Sequence, residues 1–137
     1  MILEIIYIYP AQNNRGIFYE KSRQANHSMK KEISVVMPCL NEAETLAICI
    51  EKTNTFFRQN NIEGEVIVAD NGSTDGSQDI AKKAGALVVE IAQKGYGNAL
   101  KGGFEQASGK FIIMGDADNS YDFSNLSLFV EKLRNGH

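Results

Sequence analysis

Glu65-Val66-Ile67-Val68-Ala69-Asp70-Asn71-Gly72-Ser73-Thr74-Asp75-Gly76 decides the fold. Residues 65–69 centre on the β-branched run Val66-Ile67-Val68, a short strand, and the residues after them are turn formers around two carboxylates. The same change recurs three times. Residues 33–37 (ISVVM) read as a strand buried on both faces and stopped by Pro38, residues 86–91 (ALVVEI) lead into Lys94-Gly95-Tyr96-Gly97-Asn98, and residues 110–114 (KFIIM) lead into Gly115-Asp116-Ala117-Asp118. Between the strands, apolar residues return at helical spacing over residues 42–59, 77–84, 95–107 and 123–134. Asn41 is placed to cap the first helix, with Glu42 and Glu44 in its first turn, and Gly85 is placed to end the second. Strands alternating with helices specify an α/β fold with a mostly parallel sheet built from βαβ units. Right-handed crossovers put every strand's C-terminal end on one edge, where such sheets bind ligands.

The 137 residues carry 14 Lys and Arg against 17 Asp and Glu, a formal charge of −3. One domain fits that length, and 43% hydrophobic with 23% charged residues excludes global disorder. A slightly acidic chain is not expected to bind nucleic acid or a membrane surface through bulk charge. Cys39 and Cys49 form no CxxC pair and no cluster with histidine, so they read as reduced, half-buried thiols. His27 and His137 stand far from the acidic loops, which leaves no Ser/His/Asp triad to argue. No apolar run reaches 18 residues, the length that reads as a membrane span.

The chain divides near residue 29. Residues 1–9 (MILEIIYIY) are apolar but include Glu4 and lack a basic start and a cleavage site, a poor signal peptide. Residues 10–28 show no period. We expect residues 1–29 to be a poorly ordered extension, with Met29 as the natural start, and residues 30–137 to form the domain. The competing reading is a genuine appendage whose Ile-rich tip adds an edge strand.

The acidic loops carry the chemistry. Asp116 and Asp118, two apart after a strand, can both reach one hard cation; in the competing reading one of them caps a turn. Asp70 ends a buried strand, where a carboxylate needs partners, and it can accept from a ribose or base edge or simply close the turn. Gly72 permits close backbone approach, and Ser73, Thr74 or Asp75 can cap the next helix. The Gly95-Tyr96-Gly97 turn partly imitates a dinucleotide fingerprint, but Leu100 stands where the third glycine belongs and the turn follows the third strand. A helix start with two glycines suits phosphate, and Lys94 adds a positive charge. An EF-hand fails at Gly72, and no Walker A motif occurs.

In order and spacing these stretches resemble the family 2 glycosyltransferases, within them the polyprenyl-phosphate (dolichol-phosphate mannose synthase-like) branch, over about residues 30–137. The resemblance implies a GT-A fold, a Rossmann-like sheet flanked by helices, that binds a nucleotide-diphosphate sugar such as UDP- or GDP-hexose together with Mg²⁺ or Mn²⁺. It implies that Pro38, Asn41, Glu42, Asp70, Gly72, Ser73, Gly97, Asn98 and Asp116 lie by the nucleotide, and that Asp118 is the chief metal ligand, with Asp116 beside it. It also implies a lipid-phosphate acceptor such as dolichyl or undecaprenyl phosphate. The work would be done at the cytoplasmic face of a membrane, which the protein would reach through segments outside this stretch.

The sequence departs from the family pattern at Asn71, where many members have Asp, and at Ser120 and Phe123, where the branch often has Gln and Pro. Asp122 can substitute as a ligand or cap the last helix, and its position favours the cap. Family members continue into an acceptor half that bears the catalytic base. The catalytic base is thus unassigned, and the stretch is expected to be a donor-binding half that does not turn over alone. A noncatalytic nucleotide-sugar-binding module is the second reading. A receiver-like signalling domain is the third, disfavoured because the acids follow the second and fourth strands rather than the first and third.

Overall fold

A computed structural model describes residues 31–135. The expectations for residues 1–29, and His27 and His137, lie outside the described residues. Four strands alternate with four helices: β1 Lys31–Cys39, α1 Leu46–Gln59, β2 Gly64–Asp70, α2 Ser77–Lys83, β3 Leu87–Glu90, α3 Tyr96–Gln106, β4 Gly109–Met114 and α4 Ser127–Arg134. The sheet order is β3-β2-β1-β4, and all three pairings are parallel. Strand β1 is central, so its run Ile33–Cys39 is buried throughout. Pro38 does not stop it. Pro38 stands opposite Ala69 of β2, whereas pairing with β4 ends at Val36. The carbonyl of Val36 accepts from Gly115 on the β4 side, so the missing N–H of Pro38 points past the end of that ladder and costs no hydrogen bond.

The two-residue period of the strands divides the core. Ile33, Val35 and Met37 of β1, with Val66 and Val68 of β2, face a large cluster that takes in Leu46, Ile50 and Phe57 of α1, Ala81 of α2 and Val130 of α4. Val36, Ile67 and Ile112 face the other way, against Leu100 and Phe104 of α3. Helix α3 lies close to the sheet because Gly103 has no side chain. A Cβ there would stand 2.5 Å from Cγ1 of Val36. At the N-terminal edge, buried Ser34 donates to Glu65 at 2.6 Å and accepts from the Gly109 amide at 2.8 Å, tying β2, β1 and β4 together.

The opposite edge is organised by one carboxylate. Asp70 is 0% exposed. It accepts from the amides of Gly72 and Ser73 at 3.1 and 2.9 Å, the Ser73 hydroxyl at 2.5 Å and the Gln78 amide at 2.7 Å. Burial alone would raise the carboxyl's pKa, but Ser73, Gln78 and the two backbone donors outweigh it and hold Asp70 below the usual carboxylate range. The Ser73 hydroxyl in turn accepts from the Asn41 amide at 2.8 Å, and Asn41 Oδ1 accepts from the Thr74 amide at 2.8 Å. Asn41 therefore does not cap α1. It takes a left-handed φ of 56°, and α1 begins only at Leu46, with neither Glu42 nor Glu44 in its first turn. Asp75 binds Ser77 at the start of α2 and the Ala43 amide at 3.0 Å. Gly85, at φ 95°, follows α2 as expected.

The last helix is shorter than its periodicity suggests, because Phe123 belongs to the loop and not to α4. Phe123 is 0% exposed and meets Tyr121 edge-on at 5.3 Å between centroids. A Cβ on Gly115 would come within 2.6 Å of its ring, so this side chain is the support beneath the second acidic loop. Asp122 caps a turn rather than α4, accepting from the amide of Ser124 at 3.0 Å. Both cysteines are free thiols, and both are fully buried rather than half-buried. Burial pushes the Cys49 thiol up to about 11.

Two outcomes are expected in chemical denaturation. Phe123→Ala removes a fully buried ring and lowers stability by about 3–5 kcal/mol; a loss under about 1 kcal/mol would mean the loop does not rest on it. Asp70→Asn leaves backbone and Gln78 donors facing an NH₂ group and costs about 1–3 kcal/mol at pH 7. A carboxyl held low in the folded state stabilises at pH values above its unfolded value of about 3.9 and loses that contribution as pH falls through the folded value. The gap between the native chain and Asp70→Asn should therefore narrow below about pH 4, and a gap that stays constant with pH would contradict the assignment.

Candidate functional site

The C-terminal ends of the strands open into one cleft of about 400 Å³. Pro38 and Cys39 at the end of β1 form its floor. The acids Glu42, Asp116 and Asp118 line it together with Asn71, Lys94 and Tyr96. The walls follow from the local folding. Four hydrogen bonds stitch residues 41–43 to residues 73–77, and these hold Glu42 at the rim. Thr45 Oγ1 donates to the Ala117 carbonyl at 2.6 Å, which fixes the Asp116-Ala117-Asp118 loop against the start of α1.

The acids are unequal. The Ser120 hydroxyl, helped by its amide, holds Asp118 below the usual range against the cost of desolvation, with bonds to Oδ1 of 2.6 and 3.0 Å. Asp116 Oδ1 accepts from the Tyr96 hydroxyl at 3.1 Å. Glu42 is pushed up, first by partial burial and then by the facing charges of Asp118, Asp116 and Asp75. A cation in the cleft would relieve that repulsion. Among the described residues, no group of three or more His, Cys, Asp or Glu side chains is arranged to hold a metal ion. Among the described residues, Asp116 and Asp118 thus offer a pair of hard oxygen donors rather than a closed cage. This suits Mg²⁺ or Mn²⁺, which complete their shells with water and phosphate oxygens.

Of the residues singled out from the sequence, Pro38, Glu42, Asp116 and Asp118 line the cleft. Asn41, Asp70, Gly72 and Ser73 lie behind it, in the hydrogen-bonded turn that shapes its rim. The carboxylate of Asp70 is spent on that turn. Gly97 and Asn98 sit in the first turn of α3 without lining the cleft, and Asn98 Nδ2 donates to the Lys94 carbonyl at 2.9 Å. Lys94 was expected only to add a positive charge, and Tyr96 and Asn71 were not expected in the cleft. The available signals were a lysine directly before a Gly-rich helix start and an aromatic residue between its two glycines.

Comparison with known proteins gives a consistent result. A family model described as "Glycosyl transferase family 2" matches residues 34–137. The low-salt glycan biosynthesis hexosyltransferase Agl6 of Haloferax volcanii is 44% identical over 112 residues, covering 82% of this chain and 27% of that protein. The undecaprenyl-phosphate 4-deoxy-4-formamido-L-arabinose transferase of Pectobacterium carotovorum is 32% identical over 114 residues, covering 78% and 35%. Glucosyl-3-phosphoglycerate synthase from Mycobacterium tuberculosis, solved with Mn²⁺, UDP-glucose and phosphoglyceric acid, superposes with a TM-score of 0.65 at 26% identity, over 92% of this chain and 46% of that one. The chain thus spans between about a quarter and a half of the length of these proteins. The parallel sheet with flanking helices is the GT-A fold expected from the motifs. Since the match runs through β1 to α4 and both acidic loops, the chain belongs to glycosyl transferase family 2.

Proposed function

We propose that this stretch is the donor side of a transferase that moves a hexose from a nucleoside diphosphate to a lipid phosphate. The observation that carries the reading is the gathering, in one cleft, of Asp116 and Asp118 with Lys94 and the start of α3. A diphosphate brings negative charge that a cleft of three carboxylates would repel on its own. A divalent cation held by Asp118 and Asp116 would neutralise that charge and stabilise a departing diphosphate. Lys94 and the positive end of α3 would also draw the phosphates. Pro38 and Glu42 would border the nucleotide, and Asp70, Gly72, Ser73 and Asn41 would hold the rim against which it rests.

The relatives support the metal, the nucleotide sugar and the lipid-phosphate acceptor. One is named for transfer to undecaprenyl phosphate, and a structural neighbour was solved with Mn²⁺ and UDP-glucose. We place the reaction at the cytoplasmic face of a membrane, where a lipid phosphate is accessible. No helix among the described residues is long and apolar enough to cross a membrane.

Calorimetric titration with UDP and with GDP, in Mn²⁺ and then in chelator, tests the donor site. One nucleotide is expected to bind in Mn²⁺ and to lose at least about tenfold in affinity with chelator, equal to about 1.4 kcal/mol. Asp118→Ala should reproduce the chelator result while the chain remains folded. Nucleotide affinity that ignores both chelator and Asp118→Ala would contradict the assignment.

A further inference from the structure

Asn71 stands where many family 2 members have an acid, and its surroundings explain the amide. The residue is only 7% exposed, and it spends every polar group it has. Oδ1 accepts from the Gly95 amide at 2.8 Å, while Nδ2 donates to the carbonyls of Gln93 at 2.9 Å and Ile91 at 3.2 Å. Its backbone N–H donates to the Cys39 carbonyl at 2.9 Å, and its own carbonyl accepts from the Lys94 ammonium at 3.5 Å. One residue at the end of β2 is therefore fastened to β1 on one side and to the whole β3–α3 connection on the other. A carboxylate could keep the Gly95 contact, but it would set a negative oxygen against two carbonyls. The amide satisfies all three.

The segment held in this way brings Lys94 into the cleft. Lys94 is the basic residue among those lining it, and its Nζ occupies the space over Gly72, 2.8 Å from where a Cβ would stand. We propose that Asn71 is a positioning residue whose carboxamide holds the Lys94-Gly95-Tyr96 segment and acts on the donor through Lys94, not by touching it. This rests on the donor-site reading above. The side-chain atoms of Asn71 are already committed to the loop, so a ligand contact would have to break one of these bonds.

A double-mutant cycle on the full chain tests the coupling, using as the probe, with Mn²⁺, whichever of UDP and GDP the native chain binds. Asn71→Ala and Lys94→Ala should each weaken binding about tenfold, and the double variant should bind no worse than Lys94→Ala alone. Asn71→Asp keeps the volume and serves the same cycle if the alanine variant does not fold. In parallel, amide hydrogen exchange at Gly95 is measured without nucleotide. Exchange should rise at least about tenfold in Asn71→Ala and in Asn71→Asp while the amide of Val35 in β1 stays protected. Native-like binding by the Asn71 variants, losses that add in the double variant, or unchanged exchange at Gly95 would overturn the proposal. If the native chain binds neither UDP nor GDP, the donor reading falls, and exchange at Gly95 alone decides whether Asn71 holds the loop.

Discussion

A buried carboxylate without partners is among the costliest things a fold can contain, and the loops around Asp70 are built to meet that demand. Its charge draws in two backbone amides, a hydroxyl and a side-chain amide, which bends residues 70–73 back over the end of β2. Ser73, fixed by Asp70, then anchors Asn41, and Asn41 anchors Thr74. The loops after β1 and β2 thus become one rigid rim, with Glu42 set at the cleft. Next to Asp70, Asn71 extends the rim to the loop after β3. Three of the four strand ends are joined by two adjacent side chains.

The electrostatic character of the cleft comes from that frame. Among the residues that line it, Glu42, Asp116 and Asp118 face a single lysine. The raised carboxyl of Glu42 and the lowered carboxyl of Asp118 show how unevenly the charge is carried. Asp118 is kept ionised by a serine two residues away, whereas Glu42 has to sit in the field of its neighbours. Fixed acids of this kind favour a small hard cation first and an anion only in its company. This gives a physical reason for a donor site that takes a metal and a diphosphate together.

Much of this was legible in the sequence. The β-branched runs identified all four strands, and the carboxylates at their ends located the functional edge. The errors have specific causes. Asn41 has the chemistry of a helix cap, but tertiary hydrogen bonds to the next loop claimed it and left α1 to start at Leu46. Phe123 fits the helical period of residues 123–134, but the space beneath Gly115 took its ring. Pro38 looked like a strand stop, yet the shorter β4 ladder left its missing donor unneeded. Asp70 could be read as a ligand contact or as the closure of its turn, and Asn71 only as a departure from the family's acid; the coordinates show the hydrogen bonds that tie both to the loops. For Asn41, Pro38 and Asn71 the deciding partner lies far away in sequence, where local pattern carries no information.

The most direct measurement is paramagnetic broadening by Mn²⁺ of the amide resonances of the isotopically labelled chain, with UDP present. If Asp116 and Asp118 hold the cation across from Lys94, broadening should begin at residues 116–118 and at the start of α3, and should leave Leu87 of β3 and the N-terminal edge at Glu65 untouched. Broadening centred elsewhere, or spread evenly over the acidic surface, would contradict the assignment.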